Sequence, residues 1–377
     1  MKTLVVLLLY LTCYIPTLIL LAINPYITRK AVCFGVCIPE DAHSNPEIIG
    51  IKKSYLNKTL LTGGLLSIAS LLPAVIIQSE TTYSFLPASI LLMVAIMYIF
   101  YFKSYNQVKT IKSKMNWVDE SSQVVIVDTS FRNKKFIASP LWFLLYALVI
   151  IITIISTYVL YDKIPDRIPT GWDFNGEVRG WMPKSYKTLL WAPMVQAFIM
   201  IIMVFSYWMI GKAKQIIDPA DPGKSAHQNR RFRYMWSIYI ITTGFVLTAM
   251  IGSLQLSMFG LVKNKLVISG LPLVVVFGIV TGAIILSLTT GQGGSRLFTN
   301  KDGSGSTVGN KISRRDDDKY WKLGLFYYNP DDPSIVVEKR FGIGWTNNWA
   351  RPISWILTIG LLALITGFMT LSNILTK

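Results

Sequence analysis

Few residues in this chain have the types and spacing that covalent or metal chemistry requires. Cys33 and Cys37 stand four apart in the stretch CFGVCIPED, a spacing open to a thiol redox pair or part of a zinc site. A lone Cys-x-x-x-Cys in a reducing compartment reads instead as two free thiols. His43 and His227 sit in different loops, without Cys or clustered carboxylates at ligand spacing. Gly291-Gln-Gly-Gly resembles a phosphate cradle in composition, yet the Lys and Ser/Thr that should follow are missing. The expectation is therefore no catalytic residue, no metal, no cofactor and no enzymatic activity.

Recognition chemistry is better represented. Asp162 to Thr188 reads DKIPDRIPTGWDFNGEVRGWMPKSYKT, and Pro165, Pro169, Gly171, Gly176, Gly180 and Pro183 rule out a long helix there. Asn175-Gly176 signals a tight turn with positive φ. Trp172, Phe174 and Trp181 would be costly apolar area in water unless they pack or bind something. Trp172, Asp173, Asn175, Gly176, Trp181 and Lys184 are the candidate ligand-binding residues, with Glu177 and Arg179 as neighbouring charges. An aromatic belt that merely anchors the flanking helices at the lipid headgroups is an equal alternative.

The elements that must position this loop follow from composition. Of 377 residues, 52% are hydrophobic and only 15% charged, which calls for lipid as solvent. A bilayer-crossing helix needs about 20 apolar residues. Eight segments qualify, near Leu4 to Ile23, Thr59 to Ile77, Phe85 to Phe102, Leu141 to Tyr161, Leu189 to Ile210, Tyr234 to Leu256, Leu266 to Leu288 and Ile353 to Leu375. All Asp, Glu, Lys and Arg fall outside them, as the cost of charge in hydrocarbon demands. The fold class is an all-α membrane protein of about eight transmembrane helices, with small β and turn elements in the inner loops. Gln196 and Gln255 are the largest polar side chains within the spans, placed to join helices by hydrogen bonds.

Five regions result: a three-helix membrane region over 1–140, a central four-helix region over 141–290 carrying the outer loop 162–188, a flexible linker over 291–319, an aromatic hairpin over 320–352 and a final helix over 353–377. Gln123 to Asp128 and Ser334 to Glu338 read as short strands. The net charge of +17 lies in loops rather than on a basic soluble face, which argues against nucleic acid. Of the 37 Lys and Arg, 28 fall in loops 24–58, 103–140, 211–233 and 289–352, and 9 on the opposite side. Basic residues favour the cytoplasm, so both termini are expected outside a plasma membrane. Cleavage of the first apolar run as a signal would put those basic loops on the wrong face, so it is read as a retained helix.

Three stretches resemble known sequence families. IPDRIPTGWDFNGEVRGWMPKS is similar to domain of unknown function 1648, a short membrane-associated module that also occurs in the immunity membrane protein against the sporulation-delaying toxin. Gly171-Trp172 stands where many members carry a histidine. Tyr320 to Pro352, YWKLGLFYYNPDDPSIVVEKRFGIGWTNNWARP, resembles domain of unknown function 5808, and FGVCIPED resembles a segment common in the same multi-span bacterial proteins. The resemblance implies a bacterial membrane protein without an assigned reaction. The expected function is sensing, signalling or immunity through loop 164–184, with an extracellular peptide or small molecule as ligand and a cytoplasmic protein as relay partner. A transporter or channel is the alternative, with Pro73, Pro87, Pro193 or Pro272 breaking the spans that line a path.

Overall fold

The structure is a computed structural model that describes residues 2–77, 85–117, 136–172, 177–218, 221–264, 266–298 and 316–375. Eight helices are long and apolar enough to cross a bilayer: α1 (Val6–Ile27), α2 (Pro46–Ile76), α3 (Phe85–Lys114), α4 (Pro140–Lys163), α5 (Tyr186–Lys212), α6 (Pro222–Met258), α7 (Val267–Gly294) and α8 (Pro352–Ile374). They match the eight apolar segments one for one. Several run well beyond the hydrocarbon, because the amphipathic turns that flank an apolar span continue the helix into the interface. The shortest expected spans, after Thr59 and after Phe85, prove to be parts of two of the longest helices.

Small residues and internal polar groups decide how these helices meet. The Tyr14 hydroxyl of α1 donates to the Gly63 carbonyl of α2 at 2.8 Å. Gly63 allows that approach, since a Cβ there would stand 2.2 Å from Leu18 Cδ1. A π-helical turn at Tyr10–Tyr14 directly precedes Pro16, whose missing N–H interrupts the regular ladder. In the central bundle Gln196 Nε2 of α5 donates to Thr153 Oγ1 of α4 at 3.0 Å and to the Thr248 carbonyl of α6 at 2.9 Å. Gln255 Nε2 of α6 donates to Thr157 Oγ1 of α4 at 2.6 Å. Both glutamines thus join helices as expected, each bond contributing about 0.6 kcal/mol on average in a membrane bundle. Helix α8 is peripheral, held to α5 by the stacked rings of Phe198 and Phe368 and by Trp191 Nε1 donating to Ser372 Oγ at 2.9 Å.

Loops leave the bundle on two faces. Among the described residues the narrow face carries one antiparallel pair, β3 (Arg167–Trp172) and β4 (Val178–Pro183). The broad face carries three: β1 (Val32–Cys33) with β2 (Val36–Cys37), β5 (Trp321–Lys322) with β6 (Phe326–Tyr327), and β7 (Val336–Glu338) with β8 (Trp345–Asn347). The strand expected at Ser334 to Glu338 is thus present as β7, paired with β8. The one expected at Gln123 to Asp128 lies outside the described residues.

Two of the expected regions take a more particular form in the structure. The linker over 291–319 does not start or end as a tether: Gln292, Gly293 and Gly294 are buried, and Asp317 and Asp318 are bound by Arg340. Glycine there serves close approach rather than flexibility, since Gly293 and Gly294 take φ of +59° and +86° against Arg29 and the Gln228 backbone. The middle of that segment lies outside the described residues. The aromatic hairpin over 320–352 is two separate strand pairs, joined by a bridge between Tyr327 and Asn348. The turn Asn329-Pro-Asp-Asp-Pro333 divides them, fixed by Asn329 Oδ1 and Asp332 Oδ1 accepting from the Asp331 and Ser334 N–H groups.

Candidate functional site

The narrow-face hairpin is held at its base and open along its length. Ile164 and Ile168 are buried with Leu189, Met258 and Phe259, so the hairpin rests on the ends of α4, α5 and α6. Trp172 packs half-buried against the same cluster and gives the hairpin an apolar foot. Lys184 is also committed: its Nζ donates to the Ile164 carbonyl at 3.0 Å and lies 4.8 Å over the Tyr161 ring, while its backbone N–H donates to Asp166. Trp181 is different, with 56% of its surface exposed beside paired Pro169. Asp173, Asn175 and Gly176 lie outside the described residues. Of the expected ligand set, the structure brings Trp172 and Lys184 into the hairpin base and leaves Trp181 on its surface.

On the broad face, two hairpins of like design meet tip to tip. Phe34-Gly35, a two-residue turn, and Leu323-Gly324, in the three-residue loop Leu323–Leu325, both have positive φ, at 45° and 80° and at 55° and 70°. A Cβ on Gly35 would stand 2.7 Å from the Gly324 Cα, so the contact needs glycine on both sides. The Tyr101 hydroxyl of α3 lies at the joint, 3.2 Å from the Phe34 carbonyl oxygen and 3.0 Å from that of Leu323.

Ion pairs close around this joint. Buried Arg340 binds Asp317 and Asp318, donates to the Gly35 carbonyl at 2.9 Å, and lies 5.0 Å over the Trp321 ring. Lys112 of α3 reaches Asp316 at 2.5 Å and Asp318 at 2.6 Å. Burial alone would raise the Asp318 pKa, but Arg340 and Lys112 outweigh it and hold the carboxyl below its ordinary range. Cys37 donates its backbone N–H to Asp318 Oδ1 at 3.0 Å, and burial pushes its thiol up to about 12. Cys33 is likewise raised by burial, to about 11, so neither thiol is a ready nucleophile. Cys37, Asp316 and Asp318 could together hold a metal ion by spacing, their ligand atoms lying within 4.8 Å of one another. Arg340 and Lys112 already occupy those carboxylates, so a cation would have to displace two internal ones.

Two further locks bind the broad face to the helices. Arg29 at the end of α1 pairs with Glu338 of β7 at 2.6 Å, both buried. Gln292 accepts from the Arg29 backbone N–H at 2.9 Å and donates to the Lys339 carbonyl. Arg233 of α6, 1% exposed, donates to the Ile210, Ala213 and Lys214 carbonyls at 3.0, 2.9 and 3.0 Å. It thereby satisfies the orphan acceptors at the end of α5.

Eight apolar helices with turn-rich hairpins at their ends define a multi-pass all-α membrane protein. Within that class, residues 148–197 match the model of the Domain of unknown function (DUF1648), and residues 330–355 that of the Family of unknown function (DUF5808). The first match runs from within α4 through the narrow-face hairpin to the start of α5; the second runs from Pro330 of the turn through β7 and β8 to the start of α8. No curated protein and no solved structure matches the chain.

Proposed function

We propose that this is a non-catalytic signalling or immunity protein, in which the narrow-face hairpin meets an extracellular molecule and the broad face relays its state in the cytoplasm. The observation that carries this reading is helix α6. At one end Met258, with the adjoining Phe259, packs under the hairpin. At the other, Phe232 lies against Trp345 of β8 with ring centroids 5.6 Å apart, and Gln228 Nε2 donates to the Leu297 carbonyl at 2.6 Å. One uninterrupted helix of 37 residues therefore touches both candidate surfaces. A rod of that length, about 55 Å, passes a displacement at one end to the other. The resemblance of the hairpin to a module found in an immunity membrane protein supports the narrower form of this reading.

Sidedness tests it first, because 28 of the 37 basic residues fall in loops 24–58, 103–140, 211–233 and 289–352 of the sequence. A cysteine in place of Trp181 should react with a membrane-impermeant maleimide in intact cells, and one in place of Lys319 only after lysis. The reverse pattern removes the hairpin from the outside and with it the sensing role.

A further inference from the structure

Between the broad-face strands and the inner ends of α1, α2, α3, α6 and α7 lies a cavity of about 670 Å³. Its volume is within the usual range for small-ligand sites. Deeper in the bundle its wall is apolar, with Leu20, Met97 and Ala283. Nearer the surface it carries Asn24, Ser287, Lys339 and Arg340, and among the described residues no acidic one lines it.

The two cations differ. Arg340 is neutralised by Asp317 and Asp318. Lys339, whose neighbours in the chain are both locked in ion pairs, has no hydrogen-bond or ion-pair partner for its ammonium among the described residues. The Asn24 amide is likewise without a hydrogen bond there and stands close enough that a Cβ on Gly342 would be 3.1 Å from it. Lys339 is exposed at the cavity mouth, where its ammonium can meet an anion arriving from the membrane surface. An apolar chamber with one unanswered positive charge and one unanswered amide at its mouth has the polarity profile of an amphiphile, tail inward and anionic head at the membrane surface. Because the cavity opens at the helix ends on the basic face, the ligand's head lies at headgroup depth.

We propose that this cavity binds an anionic phospholipid, its phosphate on Lys339 and Asn24 and an acyl chain between Leu20, Met97 and Ala283. The site is independent of the sensing reading of the narrow-face hairpin. A lipid phosphate and a free phosphate share the head chemistry, so the test must separate them.

The full-length protein, purified in detergent, is titrated with phosphatidylglycerol, phosphatidylcholine and inorganic phosphate, with occupancy read by native mass spectrometry. Phosphatidylglycerol should remain bound, and Lys339→Gln should weaken it about tenfold, the worth of one charge-assisted hydrogen bond. Lys339→Arg should restore it. Ala283→Phe, which fills the chamber and leaves the charge, should weaken binding as well, whereas Lys224→Gln on the same face should leave it unchanged. Equal retention of phosphatidylcholine, equal binding of inorganic phosphate, or wild-type occupancy in both Lys339→Gln and Ala283→Phe would overturn the proposal. A fall in Lys224→Gln matching that in Lys339→Gln would do so too, by reducing the effect to general surface charge.

Discussion

The narrow-face hairpin and the broad-face joint are built from the same materials, tight turns and aromatic residues beside helix ends, and they are fixed in opposite ways. The hairpin stands on an apolar foot of Ile164, Ile168 and Trp172 and keeps Trp181 exposed. The joint is sealed by paired glycines and by buried ions, with Arg340, Arg29 and Glu338 each less than a tenth exposed. Charges taken out of water demand exact partners, so the joint tolerates little change, whereas an exposed side chain contributes little to stability. A surface that costs little to alter is free to serve recognition, and the locked one is suited to holding the helices in register.

The sharpest way to break this comparison is at the paired glycines. Gly35→Val or Gly324→Val would place a β-branched residue at positive φ and drive its Cβ into backbone or the Tyr101 hydroxyl. Destabilisation of roughly 3 kcal/mol or more is expected, read as loss of folded protein from the membrane. Arg340→Met comes next, because it removes the cation from Asp317 and leaves Asp318 to Lys112 alone; a cost of about 2 kcal/mol should appear as a lowered Tm in detergent, and adding Asp317→Asn should recover part of it. Gln196→Leu should cost only about 1 kcal/mol by the same measurement, since the loss of two interhelical bonds is partly offset by apolar packing.

A smaller, pH-dependent effect separates the joint from the hairpin. His43 Nδ1 faces Lys52 Nζ at 2.6 Å, and burial together with that ammonium lowers the histidine pKa to about 4. Its folded value lies below the unfolded one, so the neutral ring favours the fold. Stability linked to this group is intact above about pH 6.5 and falls as pH drops toward 4. Wild type should lose Tm across that window more steeply than His43→Gln. Asp318 acts in the same direction at lower pH: its depressed pKa keeps the carboxylate charged, so its contribution is lost only below about pH 4.

How much of this was legible depended on the range of the interaction. The eight spans are written locally in hydropathy, and so is the turn-rich loop between α4 and α5. Gln196 and Gln255 also declared their role, because a polar side chain in an apolar run must find a partner. The joint left no such trace. Its strands are two or three residues long, too short to show a period, and its ion pairs join positions far apart, such as Arg29 with Glu338. Gly291 to Gly294 misled because glycine needed for close approach and glycine in a tether look alike in sequence. A usable sign was present in Cys-Phe-Gly-Val and Lys-Leu-Gly-Leu, two similar turn motifs, each followed by a proline and acidic residues.

The division of labour is tested most directly by one variant carrying two readouts. Trp181→Ala is prepared at wild-type abundance, and its Tm and the phenotype of the gene are measured side by side. A Tm within about 0.5 kcal/mol equivalent of wild type, together with a phenotype matching gene deletion, is the predicted result. Wild-type function in Trp181→Ala at matched abundance would contradict it.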